Sequence, residues 1–344
     1  MSTQPKTIHD LQTPALLVER SIFDANLATM SAARPGRQLR PHVKAHKCTA
    51  LAQQQAATGH ETFTCATIRE VEGMAAAGLG ADLLLANEVL DMSRLAAVVD
   101  AGARVTIAVD SDAVVDAAAR AGINEVVIDV NVGLPRCGCA PEDAGRLADL
   151  ARNHGIDVRG VMGYEGHAMI IDDLAERRRV VEECMTKLVA AHDAVGGDIV
   201  SAGGTGTYAI NTWANEIQAG SYALMDTAYG GLADLPFGQA LTVLGTVIST
   251  TGPAGGIPGW AVVDVGLKSL GMDHGNPTVP GGVVWFCSDE HITWQPDESV
   301  QVTVGDRVRV LPAHVDPTVA LHERMYLVEG DDVVDVWPVD LRGW

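Results

Sequence analysis

One pattern limits the folds open to this chain. Between residues 38 and 225, short apolar runs take turns with alanine-rich stretches of helical period. The runs that suit strands are 38–44, Thr62–Ala66, Asp82–Ala86, Val105–Val109, Glu125–Asn131, Val158–Tyr164, Asp198–Ala202 and Ile217–Met225. The stretches at 48–58, 68–78, 88–101, 111–121, 141–154 and 172–194 suit helices. Parallel strands cannot be joined by a tight turn, and a helix is the usual crossover. Eight strands with helices between them, over roughly 200 residues, make the count of a (β/α)8 TIM barrel. A doubly wound open sheet is the competing topology.

Around Gly230–Gly238 the grammar changes. From Leu241 onward, Val/Thr/Ile runs are separated by Gly, Pro and Asp, as in Val243–Thr250, Trp260–Val265, Val283–Phe286, Val300–Val304, Arg307–Leu311, Met325–Glu329 and Val333–Val336. Short strands with no long helix among them predict an all-β C-terminal domain. The division expected is a barrel over 20–235 and a β domain over 1–19 and 236–344. Upstream, Gln12–Glu19 reads as a strand. Ser21 reads as the N-cap of a helix to about Ala33, with Ile22, Leu27 and Met30 on one face.

Composition narrows the function. A net charge of −20 opposes binding to nucleic acid, whose phosphates need a basic face. Any anionic ligand must then be caught by a local cluster of donors. Met1–Lys6 has no apolar segment, and no apolar run is long enough to span a bilayer, so the expectation is a cytoplasmic protein without a membrane or nucleic-acid partner. The six cysteines read as reduced thiols. Cys137-Gly138-Cys139 has the wrong spacing for a zinc knuckle, and the charged run Asp172–Arg179 reads as the solvated start of a helix.

In such a barrel the active site collects at the carboxyl ends of the strands. Lys44 follows the first strand, in Leu39-Arg40-Pro41-His42-Val43-Lys44-Ala45-His46-Lys47. Strand alternation would turn Arg40, His42 and Lys44 inward together, with Lys44 the last inward residue. A lysine so placed suits Schiff-base chemistry, although a basic surface loop would read the same way. Gly133–Gly138, with Arg136, follows the fifth strand, and Tyr164-Glu165-Gly166-His167 ends the sixth. After the seventh comes Gly203-Gly204-Thr205-Gly206, whose glycines let backbone N–H groups turn together toward a phosphate. A plain tight turn is the other reading; the stretch is neither a P-loop nor a dinucleotide fingerprint. A lysine opposite a phosphate cradle suggests pyridoxal 5′-phosphate. Farther on, His314-x-Asp316 in a strand or loop would put an imidazole and a carboxylate on one side, suiting Mn2+, Mg2+ or Zn2+. A structural histidine beside a turn aspartate is the alternative.

Taken together, Thr13-Pro14, Arg40–Lys47, Arg136-Cys137-Gly138, Gly203–Gly206, Gln218–Asp226 and Pro312-Ala313-His314-Val315-Asp316-Pro317-Thr318 resemble the D-threonine aldolase and D-serine dehydratase-like family. These are fold-type III pyridoxal phosphate enzymes related to alanine racemase. The resemblance implies a barrel, a β domain into which residues 12–19 pair, and a homodimer. It implies Lys44 as the Schiff-base lysine and Arg136 near the cofactor's ring oxygen. Tyr164 and His42 fall among the cofactor residues. Gly204, Thr205 and Gly206, with Tyr222, fall to the phosphate, and His314 and Asp316 to a divalent metal. The activity implied is retro-aldol cleavage of D-3-hydroxy-amino acids to glycine and an aldehyde. Dehydration to a 2-oxo acid and ammonia, racemisation, and cofactor carriage without catalysis are the alternatives. Asp316 stands where dehydratase-like members commonly carry cysteine. One position departs from the aldolase pattern: Ile170 occupies the place of a histidine proposed as the hydroxyl base. His167 from a shifted backbone, or a metal-bound hydroxide, could supply that base; His167 as a structural residue is the other reading.

Overall fold

The computed structural model describes residues 5–253, 255–256 and 258–344. Two compact units emerge, Ala28–Gly220 with Leu341–Trp344, and Met1–Leu27 with Ser221–Asp340.

In the first unit seven parallel strands pair in sequence order: Phe63–Cys65, Leu83–Leu85, Val105–Val109, Glu125–Asp129, Asp157–Met162, Ile199–Ala202 and Glu216–Ile217. Residues 39–42 close the ring. Arg40 N–H donates to Ile217 O at 2.9 Å, and Thr64 N–H donates to Pro41 O at 2.9 Å. The segment thus bridges both ends of the sheet, which makes a barrel and removes the open-sheet alternative. Helices Thr49–Ala57, Ile68–Ala76, Ser93–Asp100, Asp112–Arg120, Ala144–Asn153 and Leu174–Val195 form the crossovers. The last of these begins in the charged run at 172–179, where Asp173 caps it by accepting the Glu176 N–H at 2.8 Å.

The first strand is shorter than its sequence predicts. Pro41 has no N–H to give a ladder. The His42 imidazole then accepts the Lys44 N–H at 3.4 Å and starts a 3-10 turn over Val43–Ala45. Lys44 therefore stands on a turn beyond the strand, not as its last inward residue. The last strand stops at Ile217 rather than Met225. At Gly220 the backbone passes so close to the first strand that a Cβ would lie 2.5 Å from His42 O, and a 3-10 turn follows at Ser221–Ala223.

Alternation along the strands layers the barrel interior. One layer is polar. Arg40 Nε donates to Glu216 at 2.9 Å, Arg40 Nη1 to Asp82 at 3.0 Å, and Arg159 to both Asp82 oxygens at 2.9 and 3.0 Å. These residues are buried and come from different strands, so they meet inside the ring. Burial acts to raise the Asp82 carboxyl, but the hydrogen bonds and charges of Arg159 and Arg40 hold it far below the usual carboxylate range. Leu84, Ala108, Val127, Met162 and Ile199 form an apolar cluster on the same sheet.

The second unit is built on a sheet in the spatial order Gly282–Cys287, Ile292–Pro296, Trp260–Val263, Leu241–Thr251, Ala15–Glu19, Arg324–Glu329 and Asp332–Pro338. Arg307–Val310 also pairs with Leu241–Thr251. Ala15–Glu19 runs antiparallel to Leu241–Thr251 and parallel to Arg324–Glu329. Two details differ from the sequence reading. The run Val300–Val304 is no strand, because the Asp306 carboxylate accepts both the N–H and the hydroxyl of Thr303 and folds a turn there. Ile292–Pro296 is a strand absent from the sequence expectation, although Ile292, Thr293, Trp294 and Gln295 alternate apolar and polar.

Candidate active site

At the carboxyl end of the barrel, two cationic side chains converge on one aromatic ring. Lys44 Nζ lies 5.7 Å from the centre of the Tyr164 ring, and the Arg136 guanidinium carbon lies 5.3 Å from it. Lys44 comes from the turn after the first strand, Arg136 from the loop after Glu125–Asp129, and Tyr164 from just beyond Asp157–Met162. The ring is kept in place by Gly166, where a Cβ would come within 2.5 Å of it. A cation within about 6 Å of a ring's negative π-face is attracted to it.

The neighbours of Lys44 separate it from Lys47. The Lys47 ammonium is paired with the buried Glu70 carboxylate, which also accepts the Ala66 N–H at 2.5 Å. Lys44 makes no ion pair among the described residues. His42 is buried beside it, and burial first, then the Lys44 charge, push its imidazole well below the usual range, so the ring is neutral at pH 7. His46 is lowered to about 3, also chiefly by burial. Next to Arg136, burial and the hydrogen-bonded Glu88 hold the Asp129 carboxyl well above its ordinary value.

The glycine loop after Ile199–Ala202 packs directly onto the turn Gly166–Ala168 and the residue after it. At Gly206 a Cβ would lie 1.9 Å from Met169 O, and at Gly204 one would lie 2.8 Å from Met169 Sδ. Gly203 has φ +81°, a conformation that costs other residues a Cβ clash. The Gly204 N–H donates to Thr207 Oγ1 at 3.2 Å, and Thr205 is buried. Beneath the loop lies Glu165, fully buried, which the sequence reading quoted but gave no role. It accepts the Gly203 N–H at 3.1 Å, the Thr207 hydroxyl at 2.9 Å and the Asn211 amide at 3.0 Å.

His167 sits on the turn Gly166–Ala168, with its Nε2 3.6 Å from the Cys184 thiol. A Cβ on Gly133 would lie 3.1 Å from the same ring. Burial, then Glu165, push the Cys184 thiol up to about 11, so it is protonated at neutral pH. Ile170 is half exposed.

In the second unit His314 and Asp316 are neither in a strand nor in a loop, as the sequence reading had them. His314 is the N-cap, and Asp316 lies in the first turn, of a short helix Val315–Ala320. Their proximity survives that correction: His314 Nε2 lies 3.7 Å from Asp316 Oδ2. That is too long for a hydrogen bond. Asp316 Oδ2 is buried and has no hydrogen-bond partner among the described residues. Two donors that each bind a cation at about 2.0–2.2 Å can stand this far apart. On its other side His314 Nδ1 meets Asp273 Oδ2 at 2.7 Å. Burial acts to raise the Asp273 carboxyl, and the contact with His314 outweighs it and keeps the group below its ordinary value. An ionised carboxylate only accepts, so Nδ1 carries the hydrogen of that contact, and with a cation bound Nε2 would be the ligand atom. His274 stacks on His314 at 4.0 Å between ring centres, 7° from parallel. Donor atoms of Asp273, His274 and His314 also lie within 4.8 Å of one another. An orphaned buried oxygen facing an oriented imidazole fits a divalent cation.

Asp226 secures this helix start: its carboxylate accepts the Val315 N–H at 2.9 Å and the Tyr229 N–H at 3.0 Å. Asp273 and His274 carry no mark in the sequence, and Asp226 stands there only within the Gln218–Asp226 run with no role of its own, because they reach His314 or Val315 across forty or more residues. Tyr222 lies in this unit, fully buried and 5.7 Å from the Phe237 ring.

Residues 18–228 match the family "Alanine racemase, N-terminal domain", and residues 240–328 match the "Putative serine dehydratase domain" family. The chain is 32% identical to a D-threonine aldolase of Arthrobacter sp. over 364 residues, covering 97% of this chain and 93% of that one. It is also 32% identical to a 3-hydroxy-D-aspartate aldolase of Paracoccus denitrificans over 368 residues, with the same coverage. The crystal structure of D-threonine aldolase from Filomicrobium marinum superposes with a TM-score of 0.90 at 31% identity, covering 99% of this chain and 98% of that one.

Proposed function

The chain belongs to the alanine racemase-like family of pyridoxal phosphate enzymes that contains D-threonine aldolase and 3-hydroxy-D-aspartate aldolase, and from that premise we propose that it cleaves D-3-hydroxy-amino acids to glycine and an aldehyde. The observation that carries the site is the convergence of Lys44 and Arg136 on Tyr164. An amine free of ion pairs, a guanidinium, an aromatic wall and a glycine loop are the groups that a phosphorylated pyridine aldehyde requires.

In this reading Lys44 is the amine that tethers the cofactor, and Arg136 hydrogen-bonds its ring oxygen. Tyr164 lines the ring, neutral His42 flanks it, and Gly204, Thr205, Gly206 and Tyr222 hold the phosphate. When bound, the cofactor accepts the electron pair released as the Cα–Cβ bond breaks. A divalent cation held by His314 and Asp316 supplies Lewis acidity to the substrate's 3-hydroxyl. His167 would be the protein base in this reading, taking the hydroxyl proton on a ring nitrogen, and Lys44, when its amine is free, would hold a proton beside the substrate. Placing the cofactor residues in the barrel (20–235) and the metal pair in the β domain (1–19 and 236–344) is part of the same proposal.

We read the protein as a cytoplasmic homodimer. All six cysteines are free thiols, as a reducing compartment favours, and no described helix is long and apolar enough to cross a membrane. Light scattering should give about twice 36.1 kDa; a monomer would refute the dimer. The activity is tested by product analysis over a panel of D- and L-3-hydroxy-amino acids with added Mn2+. Glycine and an aldehyde from the D-isomers support the proposal. Ammonia with a 2-oxo acid would make the enzyme a dehydratase, and inversion without cleavage a racemase.

A further inference from the structure

The fully buried Glu165 has no part in the chemistry above, yet its carboxylate gathers the whole segment from residue 203 to residue 211. It takes the Gly203 N–H directly at 3.1 Å. It takes the Thr207 hydroxyl at 2.9 Å, and that hydroxyl in turn accepts the Gly204 N–H at 3.2 Å. The Asn211 amide, at 3.0 Å, closes the arrangement, and Asn211 Oδ1 passes it on to the Ala214 N–H at 3.2 Å. Gly203 is held at φ +81°, and Gly206 lies against Met169 O with no room for a Cβ. A loop with so few side chains has little packing of its own to fix its shape, and the hydrogen bonds to one carboxylate supply that constraint.

We propose that Glu165 is the positioning residue that sets the conformation of the Gly203–Thr207 loop for the cofactor's phosphate group. The inference rests on the reading of that loop as the phosphate cradle. Glu165 touches neither cofactor nor substrate; it acts by fixing amides 203 and 204, so that the residues after them present one arrangement to an anion. Its effect must therefore depend on the phosphate. Loss of Glu165 should weaken a ligand that has the phosphate and leave its dephosphorylated counterpart alone. Gln is a partial substitute: its oxygen can accept from Thr207 and Asn211, but an NH2 facing the Gly203 N–H cannot accept.

The test titrates cofactor-stripped, full-length protein with pyridoxal phosphate and with pyridoxal, following the visible absorption of the lysine-bound aldehyde. Wild type, Glu165→Gln, Glu165→Ala and Thr207→Val are compared. Wild type should prefer the phosphorylated ligand strongly; equal affinity would overturn the cradle reading and this inference with it. Given that preference, Glu165→Ala and Thr207→Val should lose about tenfold or more for pyridoxal phosphate, with Glu165→Gln between them and wild type, and all should bind pyridoxal as wild type does. Unchanged preference in the folded variants would overturn the role of Glu165 alone. So would equal losses for both ligands, which would mark a general structural residue, or tighter pyridoxal phosphate binding in Glu165→Gln, which would mark the carboxylate as a repulsive charge. Thr207→Val, which keeps the carboxylate and the side-chain shape, decides the question if the Glu165 variants do not fold.

Discussion

Lys44 Nζ lies 5.7 Å from the centre of the Tyr164 ring and makes no ion pair among the described residues. The neighbouring Lys47, by contrast, is spent on Glu70. Two lysines three residues apart are thus sorted by structure, one into an ion pair and the other toward an aromatic wall shared with Arg136.

If that wall lines the cofactor, Tyr164→Phe should keep the ring face and bind pyridoxal phosphate nearly as wild type does. Tyr164→Ala should lose a face contact worth about 0.5–2 kcal/mol, a weakening of roughly 2- to 30-fold. Titration of stripped protein measures both. Equal affinity in Tyr164→Ala would remove Tyr164 from the site.

Chelation should abolish turnover, and Mn2+ should restore it in wild type but not in His314→Ala or Asp316→Ala. The visible cofactor absorption should persist in all three. Asp273→Ala, which frees the His314 tautomer, should weaken Mn2+ binding by about 10- to 100-fold, as loss of such outer partners does. Calorimetric titration reads that change. Full activity in metal-stripped wild type would demote the pair.

Stability should fall as acid is added. His46 has its pKa in the fold at about 3, below the ordinary value of 6.5, so the unfolded chain takes the proton first. The contribution is complete above about pH 6.5 and drains away as the pH falls toward 3, on the order of a few kcal/mol. Asn at position 46 can still accept the Cys48 N–H that now reaches His46 Nδ1 at 3.2 Å. Urea unfolding at pH 7 and pH 5 should therefore show a smaller decline in His46→Asn than in wild type. An equal decline would contradict this account.

Asp82→Ala removes the carboxylate that the buried guanidinium groups of Arg40 and Arg159 share, leaving Arg40 with Glu216 and Arg159 with Glu125. Breaking a buried pair from one side costs about 3–5 kcal/mol, and the melting temperature should drop accordingly. An unchanged melting temperature would show that water or Glu216 compensates.

Much of this was legible in the sequence because period carries fold. The alternation of apolar runs and alanine-rich helices predicted the barrel, and the late Val/Thr runs predicted the sheet. Boundaries set by single contacts were not legible. Lys44 moved off its strand because the His42 side chain caps a turn. His314 and Asp316 moved onto a helix start that Asp226 holds from a distant segment. Position at strand ends brought out Lys44 and the glycine loop, and the family resemblance supplied the expected roles of Arg136 and Tyr164. Glu165, Asp273 and Asp226 could not be found that way, since each acts on backbone or ring atoms that only the fold brings near.

The central claim is that one lysine tethers the cofactor. Borohydride reduction of the holoenzyme, followed by peptide mapping, tests it in a single step. The account predicts one phosphopyridoxyl group, on Lys44. A label on Lys47 or on any other residue, or none in protein saturated with pyridoxal phosphate, would contradict it.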